Sequence, residues 1–194
     1  RRTIMFKIAV LASTNGTDLQ AIIDEIKAGN MPGISLEVVL ADRPCHAIER
    51  AQKQGFSTEV ITAKNPIRDQ KFKKILQDLS VDLVVLVGYM RILTPEFTKA
   101  FPKKIINVHP ALIPKYSGKD FYGQSVHNAV LSSGDTETGM TIHYVDEGVD
   151  TGQIILQKAC PVSPDDTPET LKEKVQALEK KWYPEVIRNL ATKS

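Results

Sequence analysis

The sequence predicts a single-domain α/β fold over residues 1–194, in which a mostly parallel sheet is doubly wound and carries helices on both faces. The first observation behind this prediction is an alternation along the chain. Nearly continuous apolar runs, typical of strands buried on both faces, alternate with segments whose apolar residues recur at helical spacing. The second observation is that no repeat, low-complexity segment or linker interrupts a chain whose length suits one domain.

The first half of the chain supplies the expected parallel strands. They are predicted at 6–12, 38–41, 59–62, 83–87 and 104–110. Helices are predicted between them, from Leu19 to Gly29, from Ile48 to Gly55, around 72–79 and after 94. Thr94 followed by Pro95 predicts the start of that last helix, because threonine is a good N-cap and proline suits the first helical position.

The second half changes in character after His109. Residues 111–123 are predicted to form a long loop, and long ordered loops in compact domains are often functional. A helix at 125–132, a strand at 140–145, a polar turn at 146–152 and a strand at 154–156 are expected to follow. The last helix is predicted to start at Thr167-Pro168, and Pro184 is expected to kink or break it.

Composition argues against several classes of function. The formal charge is only +2 and the basic residues are scattered, so neither a nucleic acid nor a membrane is expected as a partner. Cys45 and Cys160 suggest neither a disulfide framework nor a metal site, and they indicate a reducing compartment, the cytoplasm. No apolar run reaches the roughly 18 residues that span a bilayer, and the start lacks a signal-peptide pattern. Residues 1–4 are interpreted as a remnant before an initiating Met5.

Asn107 and His109 stand two residues apart at the end of the last predicted parallel strand. Side chains at i and i+2 of a strand share a face, and ligands of open α/β sheets bind at the carboxyl ends of the strands. The carboxamide can hydrogen-bond a carbonyl group, and the imidazole can move protons near neutral pH. The alternative is a buried, hydrogen-bonded histidine beside a turn asparagine.

Two further segments carry candidate chemistry. The loop 13–18 follows a strand and opens a helix, which suits a phosphate, although its one glycine, Gly16, matches neither the dinucleotide nor the P-loop pattern. A plain turn capped by Thr17 is the alternative. The turn 146–152 holds three acids, and if Asp150 reaches His109 it would favour the imidazolium form of that histidine and orient it. A solvated turn or a cation-binding loop is the alternative there.

The remaining polar residues suggest neither covalent nor metal chemistry. No serine or cysteine stands beside an obvious base, so a covalent nucleophile is not indicated. The four histidines lack metal-ligand spacing, and no metal is expected. His143, just before the acidic turn, is interpreted as structural or supporting, whereas His46 and His127 are interpreted as surface or helix residues.

Several motifs together resemble the folate-dependent formyltransferases. They are N-x-H-P-x-L-x-P at 107–114, T-G-x-T-x-H at 138–143 and D-x-G at 150–152, supported by the segment 88–93 and the first loop. The resemblance, from Phe6 to about Asn189, implies a Rossmann-like formyltransferase fold. It also implies transfer of the formyl group of 10-formyltetrahydrofolate to the amine of glycinamide ribonucleotide (5′-phosphoribosylglycinamide), a step of purine biosynthesis. A monomer or a homodimer is expected.

The resemblance implies roles for individual residues. Asn107 would hydrogen-bond the developing oxyanion, His109 would donate to it as imidazolium, and Asp150 would support that charge and help relay the amine proton through water. The implied ribonucleotide-binding residues are Asn15, Gly16, Thr17, Asp18 and Glu179. The implied folate-binding residues are Arg68, Met90, Arg91, Ile92, Leu93 and Asn107, with Asp146, Glu147, Gly148 and Val149 against the pterin.

Two segments depart from the family pattern. Gly16-Thr17-Asp18 stands where G-S-N is usual, so a carboxylate lies near the expected phosphate and backbone N–H groups would have to serve as the donors. Residues 117–123 also differ, and no contact is assigned to them.

Three other functions share some of these features. Methionyl-tRNA formyltransferase adds a C-terminal RNA-binding domain and formyltetrahydrofolate hydrolase adds an N-terminal regulatory domain, and neither addition is expected in this chain. A flavodoxin-like receiver or nucleotide-sensing module would need an acidic cluster after the first strand, where Ser13-Thr14-Asn15 stand instead. A single-domain enzyme is therefore the expectation.

Overall fold

The computed structural model describes residues 4–194, so the interpretation of residues 1–4 as a remnant lies, for residues 1–3, outside the described residues. The strands are β1 (Phe6–Ala12), β2 (Ile34–Ala41), β3 (Thr58–Val60), β4 (Leu83–Val87), β5 (Ile105–His109), β6 (Glu137–Tyr144) and β7 (Ile154–Pro161). The helices are α1 (Thr17–Lys27), α2 (His46–Lys53), α3 (Ile67–Asp78), α4 (Pro95–Ala100), α5 (Gln124–Ser132) and α6 (Pro168–Thr192).

These seven strands form one sheet in the order β3-β2-β1-β4-β5-β6-β7. Neighbouring strands from β3 to β5 are parallel, whereas β6 runs antiparallel to both β5 and β7. The chain moves outward from β1 to β3 and then returns to place β4 on the other side of β1. Such a reversal leaves a crevice outside the carboxyl ends of the two central strands. The predicted doubly wound, mostly parallel α/β fold is confirmed.

The sheet is covered on both faces, as the alternation along β1 illustrates. Ile8 and Val10 belong to one buried apolar cluster, which also contains side chains of α1, α2 and α6. Ala9 and Leu11, on the opposite face, belong to a second cluster with side chains of α3 and α4. All four residues are completely buried. Helices shield both faces of the central strands from water, so these strands consist largely of apolar residues. Their apolar runs are therefore easy to recognise in the sequence.

Helix α6 continues from Pro168 to Thr192, so Pro184 does not break the last helix, and the alternative expectation of a kink stays a prediction. The proline ring removes the N–H that would bond the carbonyl of Lys180. Tyr183, Val186 and Ile187 on either side are buried in the core. Tertiary packing of this face therefore outweighs the lost hydrogen bond, as is usual for helices in globular proteins.

The edge strand β7 reaches Pro161, although its apolar run suggests an end at 156. Beyond Leu156 its residues alternate between exposed and half-buried positions, and they include Gln157 and Lys158. Pairing with β6, rather than apolar content, defines this half of the strand. No helix within residues 4–194 combines the length and the apolar character needed to cross a membrane.

Candidate active site

A cleft of about 780 Å³ lies along the carboxyl edge of the parallel strands. Its walls include the turn after β1 (14–18), the segment after β4 (86–93) and the end of β5 (107–110). The long loop, the acidic turn and one face of α6 close the remaining sides. The volume is within the range of small-molecule sites, and the elongated lining can hold two ligands in contact. The predicted cleft at this edge of the sheet is confirmed.

Gly16 determines the geometry of the turn after β1. It adopts a left-handed conformation (φ +70°) immediately before α1, which begins at Thr17. A Cβ at this position would lie 2.7 Å from the Cβ of Ala47 on α2, so the turn needs glycine for space as well as for conformation. The first N–H groups of α1 have no partner within the helix and face the cleft end of the sheet, an arrangement that favours an anion.

The strand end at β5 brings the expected catalytic groups together. His109 is 4% exposed, and its Nδ1 lies 3.6 Å from Oδ2 of Asp150. Asn107 lies two residues earlier and opposite His143 in the β5–β6 pairing. The Asn107 amide nitrogen is 3.4 Å from Nε2 of His143. An amide, an imidazole and a carboxylate, distant in sequence, thus meet at one point of the cleft.

His143 is a second imidazole beside the same carboxylate. Its Nε2 lies 3.7 Å from Oδ1 of Asp150, and its Nδ1 lies 2.9 Å from the carbonyl oxygen of Tyr144. If Nδ1 donates to that carbonyl, Nε2 of a neutral ring is an acceptor for the Asn107 amide. Burial lowers the pKa of His143, which favours this neutral form. The prediction that His143 is structural or supporting agrees with these contacts.

The long loop closes over the pair formed by His109 and Asp150. The Nε2 of His109 lies 2.6 Å from the carbonyl oxygen of Tyr116, and the backbone N–H of Gly118 donates to Oδ2 of Asp150 at 3.0 Å. Asp150 itself has a left-handed backbone (φ +56°), an uncommon conformation for a non-glycine residue. Each ring nitrogen of His109 therefore already faces an oxygen atom in this structure.

The three acids of the turn 146–152 have different surroundings. Asp146 accepts hydrogen bonds from the N–H of Gly148 and the hydroxyl of Thr151, so it shapes the turn. Glu147 points to the surface, where it lies 3.6 Å from Lys99. Only Asp150 reaches the two histidines. The turn thus presents one of its three carboxylates to the candidate catalytic groups.

A polar network beneath the cleft holds the segment after β4. The Asp42 carboxylate accepts the hydroxyl of Ser13 at 2.6 Å and the guanidinium of Arg91 at 2.8 Å. The Ser13 hydroxyl in turn accepts the backbone N–H of Met90 at 3.0 Å. Burial by itself would raise the pKa of Asp42, but hydrogen bonds from Arg43, Ser13 and Arg91 lower it to about 2. This ionised carboxylate ties the ends of β1, β2 and β4 together.

Two buried carboxyl groups line the cleft where α1 and α6 form its wall. Asp18 in the first turn of α1 is 6% exposed and Glu179 on α6 is 7% exposed. Burial raises the pKa of Asp18 to about 6 and holds the pKa of Glu179 well above its usual value. Both side chains line the cleft.

Most of the residues expected to bind ligands line this cleft. These are Asn15, Gly16, Thr17, Asp18, Met90, Arg91, Ile92, Leu93, Asn107, Asp146, Gly148, Val149 and Glu179, together with His109 and Asp150. Two expected residues do not line it. Arg68 is 5% exposed on α3, with its Nε 3.4 Å from Asp69, and Glu147 faces Lys99. Their folate contacts stay predictions.

Sequence reasoning missed several residues of the cleft. His127 is expected to be a surface or helix residue; it does lie on α5, but it is 3% exposed and lines the cleft with Lys172 of α6. Its position three residues before the apolar Val130 gave the only available signal, since helical spacing puts both on one face. The role of Asp42 depends on strand order, which no local pattern encodes. Within residues 4–194, no group of three or more His, Cys, Asp or Glu residues is arranged to hold a metal ion.

The cleft brings an amide, an imidazole and a carboxylate together at the carboxyl edge of a doubly wound sheet, where proteins of this fold class bind their ligands. Residues 6–187 match the family described as "Formyl transferase". This match covers nearly the whole chain, and the chain therefore belongs to the formyl transferase family.

Individual relatives agree with this assignment. The chain is 40% identical to the phosphoribosylglycinamide formyltransferase of Haemophilus influenzae over 95% of its own length and 86% of the relative's. It is 38% identical to the enzyme of the same name from Bacillus subtilis, over 96% of this chain and 95% of that one. Among solved structures, glycinamide ribonucleotide transformylase 1 from Symbiobacterium toebii superposes with a TM-score of 0.89 at 37% identity, covering 98% of this chain and 90% of that chain.

Proposed function

We propose that this chain transfers the formyl group of 10-formyltetrahydrofolate to the amine of 5′-phosphoribosylglycinamide, as a step of purine biosynthesis. The observation that carries the proposal is the meeting of Asn107, His109 and Asp150 in a cleft that has a phosphate-type turn at one end. The named relatives are about 40% identical to this chain over nearly its whole length, and their names state the same acceptor. Formyl donors of this family are folate derivatives, and the segment 88–93 forms the wall expected to meet the folate.

The reaction requires no enzyme nucleophile. The amine nitrogen bonds to the formyl carbon, the bond between that carbon and N10 of the folate breaks, and one amine proton passes to the released nitrogen. The cleft accelerates this step by holding the two reactants in contact. Charge builds up on the formyl oxygen during attack, so hydrogen-bond donors aimed at this oxygen stabilise the transition state.

Asn107 and His109 are the proposed donors. The Asn107 side chain has its amide nitrogen near Nε2 of His143, and this contact fixes the orientation of the carboxamide. His109 donates as imidazolium, and Asp150 beside its Nδ1 supports the positive charge. Nε2 of His109 faces the carbonyl of Tyr116 in this structure, so donation to the formyl oxygen requires that substrate displace this part of the loop.

The ribonucleotide and folate ends of the cleft follow from the same proposal. The phosphate lies on the backbone N–H groups around Gly16 and Thr17, at the start of α1. The ribose lies near Glu179, and the folate lies along Met90 to Leu93 with its pterin against the acidic turn. We include Arg68 and Glu147 among the folate contacts, which would require each to leave its present partner.

A turnover assay tests the proposal. Purified protein is mixed with 10-formyltetrahydrofolate and 5′-phosphoribosylglycinamide, and formation of the formylated ribonucleotide is followed by mass spectrometry. Parallel reactions replace the acceptor with methionyl-tRNA or with water alone. We expect product only with the ribonucleotide. Faster formylation of the tRNA, or hydrolysis of the donor at the same rate without any acceptor, would contradict the proposed substrate.

A further inference from the structure

Asp18 and Glu179 place two carboxyl groups against each other at the ribonucleotide end of the cleft. Asp18 comes from the first turn of α1 and Glu179 from α6, which packs against α1. More than nine-tenths of each residue is buried, and the two carboxyl groups are within hydrogen-bonding reach of one another.

One carboxylate oxygen of Asp18 lacks a hydrogen-bond donor. Its Oδ1 is buried and accepts no hydrogen bond from any N–H or hydroxyl group among residues 4–194. A buried carboxylate oxygen without a donor is costly, and two ionised carboxylates in contact repel each other strongly. A single proton kept between the two carboxyl groups removes the repulsion and supplies a donor within the pair.

The other charged groups near the pair do not replace this proton. Lys180 and Lys172 on α6 lower the pKa of Glu179, but both lysines are exposed and burial outweighs them. The buried hydroxyl of Tyr183 donates to the backbone carbonyls of Leu86 and Ile106 and not to the carboxyl groups. Burial, and next the charge of Lys172, lower the pKa of His127 on α5, so its imidazole is held in the neutral form.

We propose that Asp18 and Glu179 bind the ribonucleotide as one unit that holds a shared proton, and that this proton is what allows Asp18 to stand beside the substrate phosphate. The inference rests on the proposed function for the identity of the substrate. With the proton, the pair carries one negative charge and its outward oxygens accept hydrogen bonds from the ribose hydroxyl groups. Without it, the pair carries two negative charges close to a phosphate dianion.

This arrangement makes ribonucleotide binding depend on pH through Asp18. Both carboxyl groups have raised pKa values, so the shared proton is present at low and neutral pH and is lost as the pH rises. One added charge at a separation of several Å, screened as in a partly hydrated cleft, weakens binding by about tenfold. The folate is proposed to lie along a different wall of the cleft, Met90 to Leu93, and affinity for a folate analogue should not follow the same curve.

The test compares the parent protein with Asp18→Asn and with Asp24→Asn, an exposed carboxylate on the same helix. The KM for the ribonucleotide and the Kd for a folate analogue are measured from about pH 6 to about pH 9. In the parent and in Asp24→Asn we expect the KM to rise by about tenfold over this range. In Asp18→Asn only one carboxyl group remains, and we expect a rise of less than about threefold. Circular dichroism and thermal unfolding verify that each variant is folded.

A second measurement examines the pair without substrate. Carbon NMR of protein labelled at the aspartate and glutamate carboxyl groups follows Asp18 and Glu179 during a pH titration. We expect the two signals to move together in the parent and the Glu179 signal to titrate alone, at lower pH, in Asp18→Asn. Independent titration of the two groups, or equal pH dependence of the KM in all three proteins, overturns the inference. Failure of the ribonucleotide to bind at every pH overturns the proposed function as well.

Discussion

At the scale of single residues, the position of Asp150 depends on one unusual backbone conformation. Its left-handed φ of +56° turns the carboxylate inward, between the imidazoles of His109 and His143. The other two acids of the same turn point elsewhere, to the turn itself and to Lys99. A carboxylate that supports an imidazolium matters most when charge develops in the transition state, and its loss should therefore reduce kcat more than binding.

We expect Asp150→Asn to lower kcat by roughly a hundredfold, because asparagine keeps the shape and can still accept the Gly118 N–H but cannot stabilise the imidazolium. Dissociation constants for the ribonucleotide and for a folate analogue should change by less than about threefold. Steady-state kinetics and titration calorimetry measure both quantities. The control is Asp165→Asn, an exposed acid outside the cleft. A kcat close to that of the parent would remove Asp150 from the proposed mechanism.

Gly16 is the second residue whose backbone decides the site. Gly16→Ala should raise the KM for the ribonucleotide by tenfold or more, since the clash with Ala47 moves the N–H groups proposed to bind the phosphate. Binding of a folate analogue should be spared. Gly55→Ala is a matched control, because Gly55 also has a positive φ (+85°) but nothing within 4 Å of an added Cβ. It should share the conformational cost of about 1 kcal/mol without the change in KM.

Comparable losses of both ligands in Gly16→Ala would point to general misfolding rather than to a phosphate site. Unfolding in urea separates the two cases, because the free energy of unfolding of Gly16→Ala should fall below that of Gly55→Ala by the cost of the clash alone.

At the scale of elements, α6 connects the core to the cleft. The face that carries Val175, Glu179 and Tyr183 at helical spacing packs on α1 and on the sheet. The hydroxyl group of Tyr183 donates to the carbonyl oxygen of Leu86 at 2.7 Å and lies 3.3 Å from that of Ile106. Leu86 is the next-to-last residue of β4 and lines the cleft, and Ile106 in β5 immediately precedes Asn107, which also lines it. Helix α6 therefore fixes the spacing of the two strands where the ligands are proposed to bind.

Tyr183→Phe should reduce the free energy of unfolding by about 1–3 kcal/mol, because the buried carbonyls lose their donor while the ring packing stays. Urea denaturation monitored by circular dichroism gives this value. Tyr122→Phe is the control, since the Tyr122 side chain is 59% exposed and water can hydrogen-bond its hydroxyl group. Equal stability of the two variants would show that the hydroxyl of Tyr183 does not tie the helix to the strands.

At the scale of the whole molecule, Asp42 links the ends of three strands through Ser13, Arg43 and Arg91. Its side chain is fully buried and its pKa is lowered from 3.8 to about 2. A group whose pKa is lower in the folded protein stabilises it above the unfolded-state pKa, and the stabilisation is lost as the pH falls through the folded-state value. For Asp42 this contribution is about 2 kcal/mol, present above about pH 4 and lost toward about pH 2.

The Asp42→Asn variant should therefore be less stable than the parent by about 2 kcal/mol near neutral pH, and the difference should shrink as the pH falls from about 4 to about 2. Urea unfolding at a series of pH values measures it. Asp78→Asn, at an exposed ion pair with Lys74, serves as the control and should show no such convergence. A difference that stays constant down to about pH 2 would contradict the role given to the Asp42 charge.

The sequence by itself determined the layers of the fold and the local ends of most elements. Both faces of the central strands are shielded from water, so β1 from Ile8 onward and the whole of β4 are apolar, and such runs are visible without a structure. Thr94 is the predicted cap of α4, and its side chain accepts the N–H of Phe97. Asn107 and His109 share β5, where strand geometry alone puts their side chains on one face.

The tertiary structure determined the contacts between residues of different elements. The contact between His109 and Asp150, and the approach of His143 to Asn107 and Asp150, follow from β6 pairing antiparallel with β5. Helix α6 passes through Pro184 because the core holds it on both sides of the proline. The pairing of Asp18 with Glu179 joins residues 161 positions apart, which no local pattern records. Sequence patterns reflect the periodicity of one strand or one helix. These contacts depend instead on strand order and on packing between elements, which are established only when the whole chain folds.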